Sequence, residues 1–246
     1  MWRELKTARK GRKIRNLARI CDHSFTPDLI REDGVILDCG ANRGDFASWV
    51  ADAFPHVTVY AFEPDPRLFP KLPKRPNVTY VEAAVTGNGE PVELWMGEER
   101  CSSISSHQRH IEQSIVVNSI TLEKFCEEKG IGRIDLIKLD IERAELEVLE
   151  EANPEFLSRV GQITVEFHDF LWKEDVGRIG RCVRRMRRIG FQCFQMSWHD
   201  HSDVLFLNGN LHGVSVADKV YIAYVRYQRG LERKFRNLFL GETGGA

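Results

Sequence analysis

Residues 35–64 constrain the fold of this chain more than any other segment. A short apolar run ends in Asp38, and a turn bounded by Gly40 and Gly44 follows it. The next residues place apolar side chains at helical spacing, and a second apolar run ends in Glu63. This order predicts a strand, a turn, a helix and a second strand, with one acid at the tip of each strand.

Such a unit suits a ligand that contains a nucleoside. Glycines let the backbone approach the ligand, and the start of the helix offers free N–H groups. Glu63 follows the turn by about twenty residues, a spacing that suits a bidentate contact with ribose hydroxyls. The alternative interpretation is an ordinary strand–helix–strand unit with a tight turn and no ligand.

The turn itself argues against a dinucleotide. A pyrophosphate needs glycines in the order G-x-G-x-x-G, and Asn42 occupies the middle position here. The turn instead resembles the first motif of class I S-adenosylmethionine (SAM) methyltransferases, whose cofactor ends in an ammonium and a carboxylate. We expect Asp38 to receive the ammonium and the N–H groups of the turn to receive the carboxylate. A nicotinamide-dependent dehydrogenase is the disfavoured alternative.

Strand and helix patterns alternate along the rest of the chain. Strands are predicted at 78–81, 134–139, 162–167, 191–196 and 204–207, and an excursion of two extra strands at 91–96 and 115–120. Helices are predicted after Thr121, after Asp140 and over 175–189. The alternation predicts an α/β fold with a mostly parallel, doubly wound sheet and helices on both faces.

We divide the chain into three parts. Residues 1–30 are predicted to form a basic helical extension, residues 31–210 the main domain, and residues 211–246 an amphipathic helix and tail. The last helix repeats apolar residues at helical spacing, so we expect this stripe to pack on the domain. Its members are Val220, Tyr224, Leu231, Phe235 and Leu238.

Four acids fall at the predicted carboxyl ends of strands: Asp38, Glu63, Asp140 and Glu166. Ligands of parallel sheets bind beyond these ends. The four carboxylates are therefore expected to lie near one another at one edge of the sheet.

Taken together, the motifs resemble the FkbM-type methyltransferases. The matching segments, in the family's order, are Leu37–Phe46, Tyr60–Pro64, Glu82–Val85, Cys101–Ser105, Ile120–Phe125 and Asp135–Leu149. The resemblance implies a class I Rossmann-like methyltransferase fold, SAM as donor and an oxygen acceptor. The family's segment usually reads D-x-E-G-x-E, and Arg143 replaces its glycine here. Arg143 implies either an altered choice of substrate or a degenerate enzyme.

The donor site implied by these motifs has nine members. They are Asp38, Gly40, Asn42, Gly44, Glu63, Pro64, Ala83, Ala84 and Asp140.

A hydroxyl acceptor must lose its proton to a base or be held on a metal. The catalytic candidates are Asp140, Glu142 and His168, of which His168 titrates nearest neutral pH. The other interpretation of His168 is a hydrogen-bonded pocket histidine without catalytic duty. Asp140, Glu166 and His168 form an alternative ligand set that suits Mg²⁺ or Mn²⁺.

Two further charged residues have structural interpretations. Lys138 precedes Asp140 by two positions and shares its side of the strand, so a salt bridge that orients Asp140 is expected. Glu145 lies in the first turn of the following helix, where an acid complements the helix dipole.

The composition of the chain limits the classes of methyl acceptor. The chain of 246 residues has a net charge of -1, so it is no general trap for nucleic acid. We expect a hydroxyl of a sugar, glycan or secondary metabolite to be methylated. An RNA ribose 2'-O-methyltransferase is the alternative enzyme, but the basic runs lack interleaved aromatic residues for base stacking. A degenerate fold used as a binding module is the non-enzymatic alternative.

The location is inferred from three sequence features. The six cysteines show no C-x-x-C pairing or metal spacing. The basic N-terminus lacks the apolar core of a secretory signal, and no apolar run reaches the length of a membrane span. These features predict a cytoplasmic protein without a membrane span.

Overall fold

A computed structural model describes residues 14–96 and 113–239 of the chain. Its strands are β1 (Ala18–Ile20), β2 (His23–Phe25), β3 (Val35–Cys39), β4 (Thr58–Phe62), β5 (Val78–Val81), β6 (Ala84–Val85), β7 (Val92–Met96), β8 (Gln113–Val117), β9 (Ser119–Ile120), β10 (Ile134–Leu139), β11 (Val160–Val165), β12 (Phe191–Gln195) and β13 (Val204–Asn208). Its helices are α1 (Asp45–Ala53), α2 (Leu122–Glu128), α3 (Glu145–Glu151), α4 (Pro154–Ser158), α5 (Val176–Ile189), α6 (Gly209–His212) and α7 (Val216–Phe239). The motif segment Cys101–Ser105 lies outside the described residues.

The central sheet has seven strands in the order β12-β13-β11-β10-β3-β4-β5. The pairs from β11 to β5 are all parallel, whereas β13 runs antiparallel to both of its neighbours. This arrangement confirms the predicted α/β fold. The strand order reverses between β3 and β10, and ligands of such sheets bind at the carboxyl ends beside this reversal.

Both faces of the sheet are covered, which explains the nearly continuous apolar strands. Leu37 and Ile137 pack with residues of α2, α3, α4 and α5 in one cluster. Ile36 and Leu136 point to the other face and pack with Phe46 and other residues of α1 and β2. Alternate residues of one strand therefore serve two separate cores.

The N-terminal prediction of a helix over 1–30 is wrong for the described part of that range. Residues 18–25 form an antiparallel hairpin of β1 and β2. Cys21 and Asp22 connect the strands with φ of 46° and 65°, as the two-residue turns that match strand twist require. Cys-Asp lacks the usual Asn-Gly signature of this turn, so the hairpin is hard to recognise in the sequence.

The hairpin is part of the domain rather than an extension of it. Ser24 donates hydrogen bonds from its backbone N and its Oγ to Asp203, at 3.0 and 2.7 Å. Thr26 and Gln162 exchange two further bonds, at 2.9 and 3.0 Å. The boundary proposed at residue 31 therefore divides one packed unit.

The C-terminal helix is present over the predicted range, but a different face of it is packed. Val220 and Tyr224 are 64% and 55% exposed, whereas Ile222 is buried. Ile222 belongs to a cluster with Ile14, Leu17, Leu29, Met196, Leu205 and Leu207. The helix carries two apolar stripes, and Val220 and Tyr224 of the predicted stripe face solvent. Among the described residues, no helix is both long and apolar enough to cross a bilayer.

The packing of α7 leads to a stability prediction. Replacing Ile222 by Ala should lower the free energy of unfolding by about 2–5 kcal/mol, because it leaves a cavity in a closed cluster. Val220→Ala is the matched control and should stay within about 0.5 kcal/mol of the parent. Urea denaturation measures both values. Equal losses, or a larger loss at Val220, would contradict the packing of α7 through Ile222.

Candidate active site

The turn between β3 and α1 forms one wall of a cavity. Gly40 has a φ of 82°, and a Cβ at this position would lie 1.8 Å from the carbonyl oxygen of Asp140. Only glycine fits such a close approach. The N–H groups of Gly40 and Ala41 donate to the carbonyl of Phe62, at 3.0 and 2.8 Å. The turn is thereby fixed between the ends of β10 and β4.

The cavity has a volume of about 640 Å³, counting the space that is open to solvent. Its lining includes seven of the nine predicted donor-site residues and the catalytic candidate Glu142. The predicted members of its lining are Gly40, Asn42, Glu63, Pro64, Ala83, Ala84, Asp140 and Glu142, and the additional ones are the apolar residues Phe62, Leu68, Val85, Leu94 and Ile141. The apolar members could not be predicted, because nothing in the sequence separates them from ordinary core residues.

Two predicted donor-site residues lie outside the lining. Gly44 precedes α1 with a φ of 76°, and a Cβ there would lie 2.5 Å from the hydroxyl oxygen of Tyr80. Its place in the motif follows from backbone geometry and close packing. Asp38 is fully buried next to the turn, and neither of its oxygens accepts a hydrogen bond within the described residues.

Glu63 is held rigidly at the edge of the cavity. Its Oε2 accepts a hydrogen bond from the backbone N of Asn42 at 2.7 Å, and its Oε1 accepts one from the backbone N of Asp65 at 2.9 Å. Burial raises the pKa of Glu63 to about 7, although both backbone donors favour the charged form. The carboxylate therefore changes charge near neutral pH.

Lys138 links the turn to the strand-end acids. Its Nζ donates to the carbonyl oxygen of Gly40 at 2.7 Å. The same atom lies 3.4 Å from Asp38 Oδ1 and 3.3 Å from Asp140 Oδ2. Burial acts to lower the pKa of Lys138, but the charges of Asp140 and Asp38 outweigh it and raise this pKa. The structure thus contains the predicted salt bridge and adds a second carboxylate to it.

Burial and charge set the protonation of the two acids beside Lys138. Burial raises the pKa of Asp38, while the nearby Lys138 acts to lower it. For Asp140 burial also acts upward, but Lys138 and then His23 outweigh it and hold the pKa of this acid well below its usual range. Asp140 is therefore the ionised carboxylate of the site at neutral pH.

Asp140 lies between two histidines. His168 Nε2 is 3.9 Å from Asp140 Oδ1 and 3.5 Å from Glu142 Oε2. His23 Nε2 is 3.6 Å from Asp140 Oδ2. Sequence analysis missed His23 because it comes from the hairpin, far from the motifs in sequence, and no spacing connects it to them.

The predicted metal set is divided in the structure. The described residues contain two sets of three potential metal ligands, and within each set the ligand atoms lie within 4.8 Å of one another. One set is His23, Asp140 and Glu166, and the other is Asp140, Glu142 and His168. Both share Asp140, but Glu166 and His168 belong to different sets. The strand-end spacing therefore places Asp140 and Glu166 together, but the histidine within reach of both is His23 rather than His168.

Glu145 has a closer contact with the site than its helix position suggested. It is buried, and its Oε1 accepts a hydrogen bond from the backbone N of Ile141 at 2.7 Å. The same oxygen lies 3.6 Å from Nδ1 of His168. Burial raises the pKa of Glu145 to about 8 and that of Glu142 to about 7, and burial lowers the pKa of His168. His168 is therefore neutral at pH 7, as a proton acceptor must be.

Arg143 adopts the backbone conformation of a glycine. Its φ is 86°, and Glu142 before it has a φ of 52°. The guanidinium lies 4.5 Å from the ring centroid of Trp172, and its Nη2 lies 3.2 Å from Asp175 Oδ2. Arg143 is absent from the cavity lining and instead contacts the segment that follows His168. These contacts offset the cost of the left-handed backbone.

Comparison with known proteins identifies related sequences. A family model described as the methyltransferase FkbM domain matches residues 38–193. The chain is 25% identical over 223 residues to the 31-O-demethyl-FK506 methyltransferase FkbM of Streptomyces tacrolimicus, covering 76% of this chain and 81% of that protein. It is 25% identical over 176 residues to the hexuronic acid methyltransferase AglP of Haloferax volcanii, covering 68% of this chain and 72% of that protein.

A larger relative contains a matching part. The chain is 26% identical over 206 residues to the AMB antimetabolite synthetase AmbE of Pseudomonas aeruginosa. The match covers 67% of this chain but 10% of AmbE. The chain therefore spans about a tenth of the length of that relative.

The backbone at Arg143 leads to a prediction that separates strain from side-chain contacts. Arg143→Ala and Arg143→Gly both remove the contacts with Trp172 and Asp175, but only glycine tolerates the left-handed backbone. The glycine variant should therefore be the more stable of the two by roughly 1 kcal/mol. The difference in free energy of unfolding between the two variants measures the strain directly.

Arg184 provides the control for this comparison, because it is an exposed residue inside α5. There the order should reverse, with the alanine variant more stable by about 1 kcal/mol. An alanine advantage at position 143 as well would contradict the strained backbone.

Proposed function

Because the chain belongs to the FkbM family of methyltransferases, we propose that it transfers the methyl group of SAM to a hydroxyl oxygen of a sugar, glycan or secondary metabolite. The observation that carries the proposal is the placement of Glu63. A buried carboxylate, fixed by two backbone donors, lines a cavity at the strand ends beside the reversal of the sheet. This is the position from which an acid contacts ribose hydroxyls in nucleoside-binding sheets.

The residues of the cavity fit the other parts of SAM. Phe62, Leu68 and Leu94 provide apolar surface for the adenine ring. Both oxygens of Asp38 are buried without a hydrogen bond among the described residues, and a ligand ammonium would satisfy such a carboxylate. Asp38 does not line the cavity itself, so contact with the ammonium requires a small opening of the turn at Gly40 or an intervening water.

The donor supplies an electrophilic methyl group on a sulfonium sulfur. The protein's own task is to align the acceptor oxygen and to remove its proton. We assign proton removal to Nε2 of His168, which lies behind the cavity lining at 3.9 Å from Asp140 and 3.5 Å from Glu142. Oε1 of Glu145 lies 3.6 Å from the opposite ring nitrogen, where the side chain restricts the orientation of the imidazole.

The acceptor class is drawn from the relatives. AglP is named as a hexuronic acid methyltransferase, and FkbM as a methyltransferase of 31-O-demethyl-FK506. The first name indicates a sugar acid as acceptor and the second an oxygen acceptor, so we propose a hydroxyl of a sugar or secondary metabolite. The family match does not favour an RNA ribose as substrate.

A measurement of methyl transfer distinguishes an enzyme from a fold that only binds the cofactor. We expect methyl label from SAM to appear on a hydroxylated acceptor from a panel of uronic acids, neutral sugars and polyketides. Formation of S-adenosylhomocysteine that depends on the acceptor is the signature of the enzyme. Cofactor binding without label transfer to any member of the panel would favour the module.

The pKa of Glu63 leads to a prediction for donor binding. Ribose hydroxyls donate to the ionised carboxylate, so protonation of Glu63 below its pKa of about 7 should weaken binding. The affinity for S-adenosylhomocysteine should rise with pH, by up to about tenfold between pH 6 and pH 8, because only the ionised fraction binds well. Isothermal titration calorimetry at the two pH values measures this change.

Two variants define the origin of the pH dependence. Glu63→Gln should bind weakly at pH 8 and lose the pH dependence, whereas Glu32→Gln, at an exposed position, should behave as the parent. The absence of binding heat with both SAM and S-adenosylhomocysteine in the parent protein would overturn the proposed function.

A further inference from the structure

We propose that His23, Asp140 and Glu166 form a binding site for a divalent cation, with Mn²⁺ and Mg²⁺ as the ions that suit it. One ligand atom from each residue lies within 4.8 Å of the other two. The set combines one imidazole with two carboxylates, a composition typical of hard cations that keep open coordination positions. The role of the ion in methyl transfer rests on the proposed function, whereas the binding of the ion does not.

The distance between His23 and Asp140 suits two ligands of one ion better than a hydrogen bond. His23 Nε2 and Asp140 Oδ2 are 3.6 Å apart, beyond the normal range for a hydrogen bond. Neighbouring ligands of an octahedral ion with bonds of about 2.2 Å lie about 3 Å apart, and opposite ligands about 4.4 Å apart. The observed separation lies between these limits.

His23 has the features of a metal-binding histidine. Its side chain is fully buried, and its Nε2 makes no hydrogen bond within the described residues. Its Nδ1 lies 3.4 Å from Oγ1 of Thr164, and its ring packs edge-on against Phe46 with centroids 6.1 Å apart. A partner at one ring nitrogen fixes the orientation of the other, as in most protein metal sites.

The three ligands come from rigid parts of the structure. The hairpin that carries His23 is anchored by the two hydrogen bonds between Ser24 and Asp203. Asp140 and Glu166 follow the neighbouring parallel strands β10 and β11, whose ends lie side by side. An ion would therefore join the hairpin to the sheet without a large rearrangement.

The charge balance also favours a cation. Lys138 is buried and faces both Asp38 and Asp140, so its single charge is shared between two carboxylates. Glu166 makes no ion pair with any described residue, although it is partly buried beside Asp140. A divalent ion at this position would balance the negative charge of Glu166 and the part of the Asp140 charge that Lys138 does not balance.

Such an ion would act on the acceptor rather than on the donor. Three protein ligands leave about three positions of an octahedral shell for water or acceptor oxygens. A hydroxyl bound there loses its proton more readily, and His168 lies on the other side of Asp140 to receive it. This arrangement selects acceptors with two neighbouring oxygens, such as vicinal diols or hydroxy acids.

The test uses Mn²⁺ alone on the full chain after removal of metals with a chelator. Binding is followed by loss of the electron paramagnetic resonance signal of free Mn²⁺, in the absence of SAM. The parent protein should bind one ion, and His23→Gln and Glu166→Gln should each weaken binding by at least about tenfold. His56→Gln, at an exposed histidine outside the site, is the matched control and should bind as the parent.

A second measurement does not depend on the stability of the variants. Pulsed paramagnetic resonance of Mn²⁺ on the parent protein should show coupling to one imidazole nitrogen, which disappears in His23→Gln if that variant is folded by circular dichroism. No binding by the parent, no nitrogen coupling, or coupling that persists in folded His23→Gln would each overturn the site. A parallel titration with S-adenosylhomocysteine in the absence of metal tests donor binding separately. Failure of the cation site therefore does not imply failure of the donor site, and the reverse also holds.

Discussion

The site depends on one buried ammonium. Lys138 is 3% exposed and lies in register with Asp38 of the adjacent strand. It holds the Gly40 carbonyl and sits between Asp38 and Asp140. Buried carboxylates are costly unless a positive charge compensates them, so this contact permits two acids to lie at the reversal of the sheet. It also fixes the glycine turn at the point where β3 and β10 meet.

The strained residues after Asp140 connect the sheet to the catalytic candidates. Positive φ values at Glu142 and Arg143 bring the Glu142 side chain to the cavity and carry the Arg143 side chain away from it. Arg143 then contacts Trp172 and Asp175, in the segment that follows His168. Arg143 therefore adds a link between the cavity wall and the segment that carries the proposed base. This link gives Arg143 a structural role that does not require loss of function.

The sequence predicts the features that follow from local pattern. Alternating apolar runs predict the sheet, and the position of acids at strand ends brings Glu63, Asp140 and Glu142 to one cavity. The complete burial of Asp38 could not be predicted, because the alternation of residues along a strand does not show which strand-end acid its neighbours cover. His23 could not be predicted either, since it reaches the site through a hairpin whose Cys-Asp turn lacks the usual signature. The burial of Ile222 in place of Val220 and Tyr224 could not be predicted, because α7 carries two apolar stripes and only the tertiary cluster around Ile222 distinguishes them.

In the proposed donor cavity, Glu63 contacts the sugar and Asp140 lies near the reacting centre. A crystal structure of the full chain with S-adenosylhomocysteine tests this most directly. We expect both ribose hydroxyls within hydrogen-bond distance of the Glu63 carboxylate, with the sulfur on the side of Asp140 and Glu142. Electron density for the nucleoside at any other surface, with the Glu63 carboxylate free of it, would contradict the account.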